Sequence, residues 1–164
     1  MLNEKELMEI KFKKAGIEDL KILVDFRIEF IKELHPELDL QVLEKMQKAT
    51  LTYFNDFLTN NSYIGFLGII NNSEVVCAAG LLIYYLPPLN NENYRKMGHV
   101  LNFYTKPAYR NKGIGLKLMN FLKKTALDEK IDRLVLNSTK LGLSVYKKSG
   151  FLEPEYQAMS IDLC

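Results

Sequence analysis

The run Arg110-Asn111-Lys112-Gly113-Ile114-Gly115 joins two cations to two glycines one residue apart. It follows a β-rich stretch and opens an apolar stripe of helical spacing: Ile114, Leu118, Leu122, Thr125/Ala126. The first N–H groups of a helix have no intrahelical partner and sit at the positive end of its dipole, so they attract anions. Glycine lets the chain curl and lets a ligand approach the backbone. Arg110 and Lys112 add counter-charge. The implied chemistry is phosphate or pyrophosphate binding. Two other phosphate loops fit less well. A dinucleotide fingerprint needs glycine at Leu118, and a Walker loop needs Gly-Lys-Ser/Thr, whereas Gly115 precedes Leu116. The bland reading of the same residues is a strand–helix turn with surface lysines.

Arg27 is the second residue whose place could do chemistry. It interrupts an apolar helical stripe, Leu20, Leu23/Val24, Phe30/Ile31, Leu34. An inward arginine needs a carboxylate, a phosphate or carbonyls. Two readings follow: a structural one, an internal ion pair or a snorkelled head group, and a functional one, a group that recognises an acidic ligand. His35 and His99 lie 64 positions apart with no cysteine near them, so no metal site is expected. Cys77 and Cys164 make no disulfide framework, which fits a reducing cytoplasm.

The chain that must position these groups has 164 residues, 48% hydrophobic and 26% charged. That suits one domain over residues 1–164 and excludes wholesale disorder. The apolar run Val75–Leu86 is too short for a membrane span, which takes about 20 residues. The opening Met-Leu-Asn-Glu-Lys-Glu-Leu has acids and no apolar core, so no secretion signal is expected. A net charge of +2 does not suggest nucleic acid. Its distribution is uneven: six basic residues and no acid between Phe103 and Leu127 suggest a local anionic ligand.

Periodicity predicts a first strand over Glu9–Lys14 and a helix ended by Pro36. A second helix follows Asp39 as N-cap, with Leu43, Met46, Tyr53/Phe54 and Phe57 on one face. Tyr63–Ile70 and Val75–Tyr84, joined by Asn71-Asn72-Ser73, read as a hairpin. Gly98–Thr105 is a further strand and the helix from Gly113 runs to about Glu129. Leu134–Asn137 is a short strand and Leu141–Lys148 a short helix capped by Gly150. Met159–Leu163 alternates and is expected to add one or two strands. The pattern predicts an α+β fold, a mixed sheet covered by helices.

Downstream of the loop stands Leu136-Asn137-Ser138 through Val145-Tyr146-Lys147-Lys148-Ser149-Gly150-Phe151. This resembles the closing Tyr-x-x-x-Gly-Phe motif of the GNAT acetyltransferase superfamily. The loop resembles that superfamily's Gln/Arg-x-x-Gly-x-Gly/Ala, and Asn102-Phe103-Tyr104-Thr105 its fourth strand. The motifs stand in the family's order and cover about Val100–Phe151. The resemblance implies a mostly antiparallel mixed sheet of six to seven strands, flanked by about four helices and split between strands 4 and 5. It implies acetyl-CoA in that split, its pyrophosphate on Arg110, Asn111, Lys112, Gly113, Ile114 and Gly115. The pantetheine arm would pair with Phe103, Tyr104 and Thr105, and Asn137 would stand at the far wall.

The resemblance further implies N-acetyl transfer to a primary amine by direct attack, with Tyr146 protonating the departing thiolate. Arg27 and Asn102 fall on the acceptor side. The general base stays open among a water relay, Glu29, Glu33, His99 and His35, since no carboxylate lies between Gly98 and Thr105. The acceptor is a small-molecule or peptide amine, with no metal, nucleic acid or membrane involved. A homodimer stays open. The alternative is a non-catalytic CoA-binding sensor or interaction module on the same fold.

Overall fold

The computed structural model describes residues 9–90 and 93–163. Five strands form one sheet in the order β1 (Lys11–Ala15), β2 (Tyr63–Ile70), β3 (Glu74–Leu86), β4 (Arg95–Thr105), β5 (Arg133–Leu136). The first four pair antiparallel, and β4 pairs with β5 in parallel. Helices α1 (Leu20–Leu34) and α2 (Leu40–Thr59) link β1 to β2. Helix α3 (Ile114–Asp128) crosses from β4 to β5, and the short α4 (Leu143–Lys148) follows.

Both faces of the sheet are covered, so its central strands read as continuous apolar runs. Phe66 and Leu67 are neighbours in β2, both fully buried, and serve different cores. Phe66 belongs with Leu81, Val100, Leu118, Leu122 and Tyr146 on the α3 and α4 side. Leu67 belongs with Leu23, Ile31, Leu43, Phe54 and Tyr104 on the α1 and α2 side.

Local signals act as expected. Asp39 Oδ1 accepts from the Val42 N–H at 2.9 Å and caps α2. Asn71 and Asn72 take φ of 51° and 57°, the doubly left-handed turn that suits a tight hairpin. Gly150 takes φ 91°, and bonds from Gly150 N to Lys147 O and from Phe151 N to Tyr146 O close α4.

Two things differ. Among the described residues the sheet has five strands rather than six to seven, because Met159–Leu163 forms no ladder. Leu152, Tyr156, Met159, Ile161 and Leu163 are between 80% and 91% exposed. Alternation specifies a strand only when one face is covered and an edge is paired, and here neither holds. Second, β4 begins at Arg95 rather than Gly98, since Leu86↔Arg95 and Tyr85↔Lys96 extend its ladder with β3. Cys164 lies outside the described residues.

The split that positions the site comes from unequal strand lengths. The ladder between β4 and β5 stops at Val100↔Leu136. Leu101–Thr105 continue with β3 on one side and, among the described residues, no strand on the other. A bulge accompanies this: Asn102 takes φ 54°, and the register with β3 shifts between Ala78 and Gly80.

Candidate active site

The loop after β4 opens with one turn, Pro107–Tyr109. Asn111 then takes φ 61° and Gly113 φ 75°. Two left-handed positions two residues apart curl the chain into a concavity of N–H groups. Asparagine tolerates this backbone, and glycine adopts it without cost. Gly113 is the N-cap of α3, no side chain caps the helix, and its first turn holds no acid. The first-turn amides therefore carry their dipole charge without a side-chain acceptor.

Asn111, Gly113, Ile114 and Gly115 line a cleft of about 680 Å³ that occupies the split. Its walls are β4 from His99 to Thr105, the loop and start of α3, Asn137, the chain from Thr139 to Gly142, α4, and Arg27, Phe30 and Glu33 of α1. Of the residues singled out above, Arg27, Asn102, Phe103, Tyr104, Thr105, Arg110, Asn111, Gly113, Ile114, Gly115, Asn137 and Tyr146 line it. Lys112 does not. It is exposed, its Nζ donating to Ala108 O at 3.1 Å beside the Tyr109 ring.

Arg110 lines the cleft, but its guanidinium is engaged. Nη1 and Nη2 donate to the two Glu33 oxygens at 2.8 and 2.6 Å, and Nε donates to Thr105 O at 2.9 Å. The guanidinium also lies 5.3 Å from the Tyr104 ring centroid. Hydrogen bonding and charge from Arg110 hold the Glu33 carboxyl below its ordinary range. This pair ties α1 to the loop, and it disfavours Glu33 as a proton acceptor.

Tyr146 is 7% exposed, its ring 5.6 Å from Phe103 and 6.0 Å from Phe151. Burial pushes its phenol up to about 12, so it holds its proton at neutral pH. Gly142, one helical turn earlier, makes room for it. A Cβ there would stand 2.7 Å from the Tyr146 ring and 3.3 Å from its hydroxyl. The i, i+4 spacing of Gly142 and Tyr146 is the only sequence signal for that contact.

Of the open base candidates, Glu29 and His35 are exposed and absent from the cleft, and His35 Nδ1 pairs with Glu37 at 3.1 Å. His99 does line the cleft, and burial lowers its pKa from 6.5. It is therefore mostly neutral near pH 7, the form that accepts a proton. Among the described residues no group of three or more metal-ligating side chains lies together, and no helix is long and apolar enough to cross a membrane.

Residues 22–151 match the model of the Acetyltransferase (GNAT) family. A predicted acetyltransferase from Clostridium acetobutylicum, solved with acetyl-CoA, is similar at 26% identity and a TM-score of 0.79. The alignment covers 94% of this chain and 96% of that one. A GCN5-related N-acetyltransferase from Ralstonia eutropha shares the fold at 24% identity and a TM-score of 0.76, over 93% and 98% of the two chains. Glucosamine-6-phosphate N-acetyltransferase from Arabidopsis thaliana shares it at 16% identity and 0.66, over 94% and 99%. A search of curated proteins gives no significant match.

Proposed function

The chain belongs to the GNAT acetyltransferase family, and from that premise we propose that it moves an acetyl group from acetyl-CoA directly to a primary amine. One observation carries the reading. A single cleft holds uncapped helix amides, an unpaired stretch of strand and a protonated phenol.

The residues fit the coenzyme. The amides from Asn111 to Gly115 suit a diphosphate, because the chain curls there and no side chain occupies the helix end. The edge of Phe103–Thr105, which pairs with no described strand beyond β3 and has Thr105 O accepting from Arg110 Nε, suits an extended amide-bearing arm added as a further strand. Asn137 stands where β5 turns away. Acetyl-CoA supplies an activated acyl thioester.

The chain's own groups supply proton handling. An aliphatic ammonium has a pKa near ~10.4, so only about one amine in a thousand is nucleophilic at neutral pH. His99 takes the surplus proton, directly or through water, since its ring is neutral and in the cleft. Tyr146 holds the proton that a departing thiolate needs. A backbone N–H within Phe103–Thr105 stabilises the developing oxyanion. The acceptor is a small-molecule or peptide amine, the setting cytoplasmic, and no metal takes part.

Incubation with acetyl-CoA and an amine panel, followed by free thiol, tests this. At least one amine should accelerate thiol release. Tyr146→Phe keeps the ring packing and should lower kcat about 10²-fold or more, with the CoA Kd held within about twofold. CoA binding without thiol release from any amine would identify a sensor, and wild-type turnover in Tyr146→Phe would remove the acid role.

A further inference from the structure

Arg27 is held in an unusual way for a half-buried cation. Its Nη1 donates to Asn102 Oδ1 at 2.7 Å, and Asn102 Nδ2 donates to the Tyr63 hydroxyl at 3.0 Å. Tyr63 is 2% exposed and lies over Gly80, where even a Cβ would stand 1.6 Å from its hydroxyl. The relay from buried Tyr63 through Asn102 therefore aims the guanidinium. The left-handed bulge at Asn102 turns that amide toward α1.

The relay gives Arg27 direction but no counter-charge. Among the described residues, every ion pair lies elsewhere: no carboxylate comes within 4.0 Å of Arg27. Arg110 is the contrast, with the same side chain in the same cleft and a bidentate carboxylate. No described carboxylate therefore forms the internal ion pair considered for Arg27. A guanidinium has five N–H donors and its charge persists at any physiological pH, so this one presents unmatched donors beside the cleft. No buried side-chain nitrogen or oxygen among the described residues lacks a partner, so the remaining Arg27 donors are open to solvent and available to a ligand.

Position says which ligand. Asn102 precedes the Phe103–Thr105 edge, whereas the uncapped amides lie beyond it at Asn111–Gly115. Arg27 therefore serves the acceptor end of the cleft. We infer that Arg27 is an anion subsite for the acceptor, which carries a carboxylate in addition to its amine. A planar carboxylate matches the fork of the guanidinium in a two-bond contact. This inference rests on the acetyl-CoA reading above.

The test uses CoA joined through a –CH2–CO– bridge to glycine, β-alanine or 4-aminobutyrate, each against the alkylamine conjugate of equal chain length. Titration calorimetry measures Kd for each conjugate and for CoA alone. One carboxylate conjugate should bind about tenfold or more tightly than its neutral partner. Arg27→Met should bring that ratio to about one and leave the CoA Kd unchanged, and Arg27→Lys should retain part of it. Equal Kd values within every pair in the wild-type protein, which needs no variant to fold, overturn the inference. So does a preference that survives Arg27→Met. If CoA itself fails to bind, the coenzyme reading falls and the inference falls with it; if CoA binds and the pairs tie, only the inference falls.

Discussion

Replacing Gly142 by alanine places a methyl group against the proposed acid. The added Cβ stands 2.7 Å from a Tyr146 ring carbon, and ordinary contact starts at 3.4 Å, so the ring must retreat by about 0.7 Å. It cannot retreat freely, because Phe103 and Phe151 pack on it edge-to-face at 5.6 and 6.0 Å. The hydroxyl moves with the ring. A misplacement near 1 Å in a catalytic group costs on the order of 10²-fold, so a loss of about ten- to hundredfold in kcat is expected. The backbone itself accepts alanine, with φ −79° and ψ −20°. Overpacking costs about 1–3 kcal/mol, partly offset by the stiffer unfolded chain, so the variant should fold. Gly115→Ala separates packing from binding: its Cβ would meet Phe103 and Val145 at an ordinary 3.6 Å, so any effect should fall on acetyl-CoA KM, because Gly115 lies in the loop proposed for the diphosphate. Initial rates of thiol release with the fastest amine, alongside acetyl-CoA KM and melting temperature, decide the matter. A folded Gly142→Ala protein with wild-type kcat would show that the phenol's position is immaterial and refute the reasoning.

Three further outcomes are expected. For His99, a base works only when unprotonated, and burial holds its pKa below 6.5, so kcat/KM should fall as pH drops through that lowered value; His99→Gln should be slower and lose this acid limb in a pH–rate profile. Glu33→Gln should lower Tm by about 2–4 °C in a thermal melt, since a part-exposed pair contributes about 1 kcal/mol. Arg110 keeps the folded-state Glu33 pKa under 4.5, so that stability difference is full above pH 4.5 and disappears as pH falls through the lowered value. Gly80→Ala should cost about 3 kcal/mol or more in urea unfolding, because the Cβ would stand 1.6 Å from the buried Tyr63 hydroxyl.

What was legible in the chain was mostly local. The Asp39 cap, the Asn71-Asn72 turn, the Gly150 closure and the loop ahead of α3 all depend on residues a few positions apart. The features that aim the site depend on distant partners. Glu33 meets Arg110 across 77 positions, and Arg27 meets Asn102 across 75. Neither pairing has a periodic signature. The Asn102 bulge could not be read from a strand-like run, since asparagine there looks like any polar position until the register with β3 is known. The tail misled for the same reason: Met159, Ile161 and Leu163 have the rhythm of a strand, but rhythm without a neighbour builds nothing.

The way Arg110 spends its side chain has an evolutionary consequence. Since Glu33 and Thr105 occupy that guanidinium, affinity for a diphosphate would reside in peptide groups, which every sequence possesses. Mutation can then rewrite most outward-facing side chains around the turn without erasing the binding surface, provided the two left-handed positions at Asn111 and Gly113 survive.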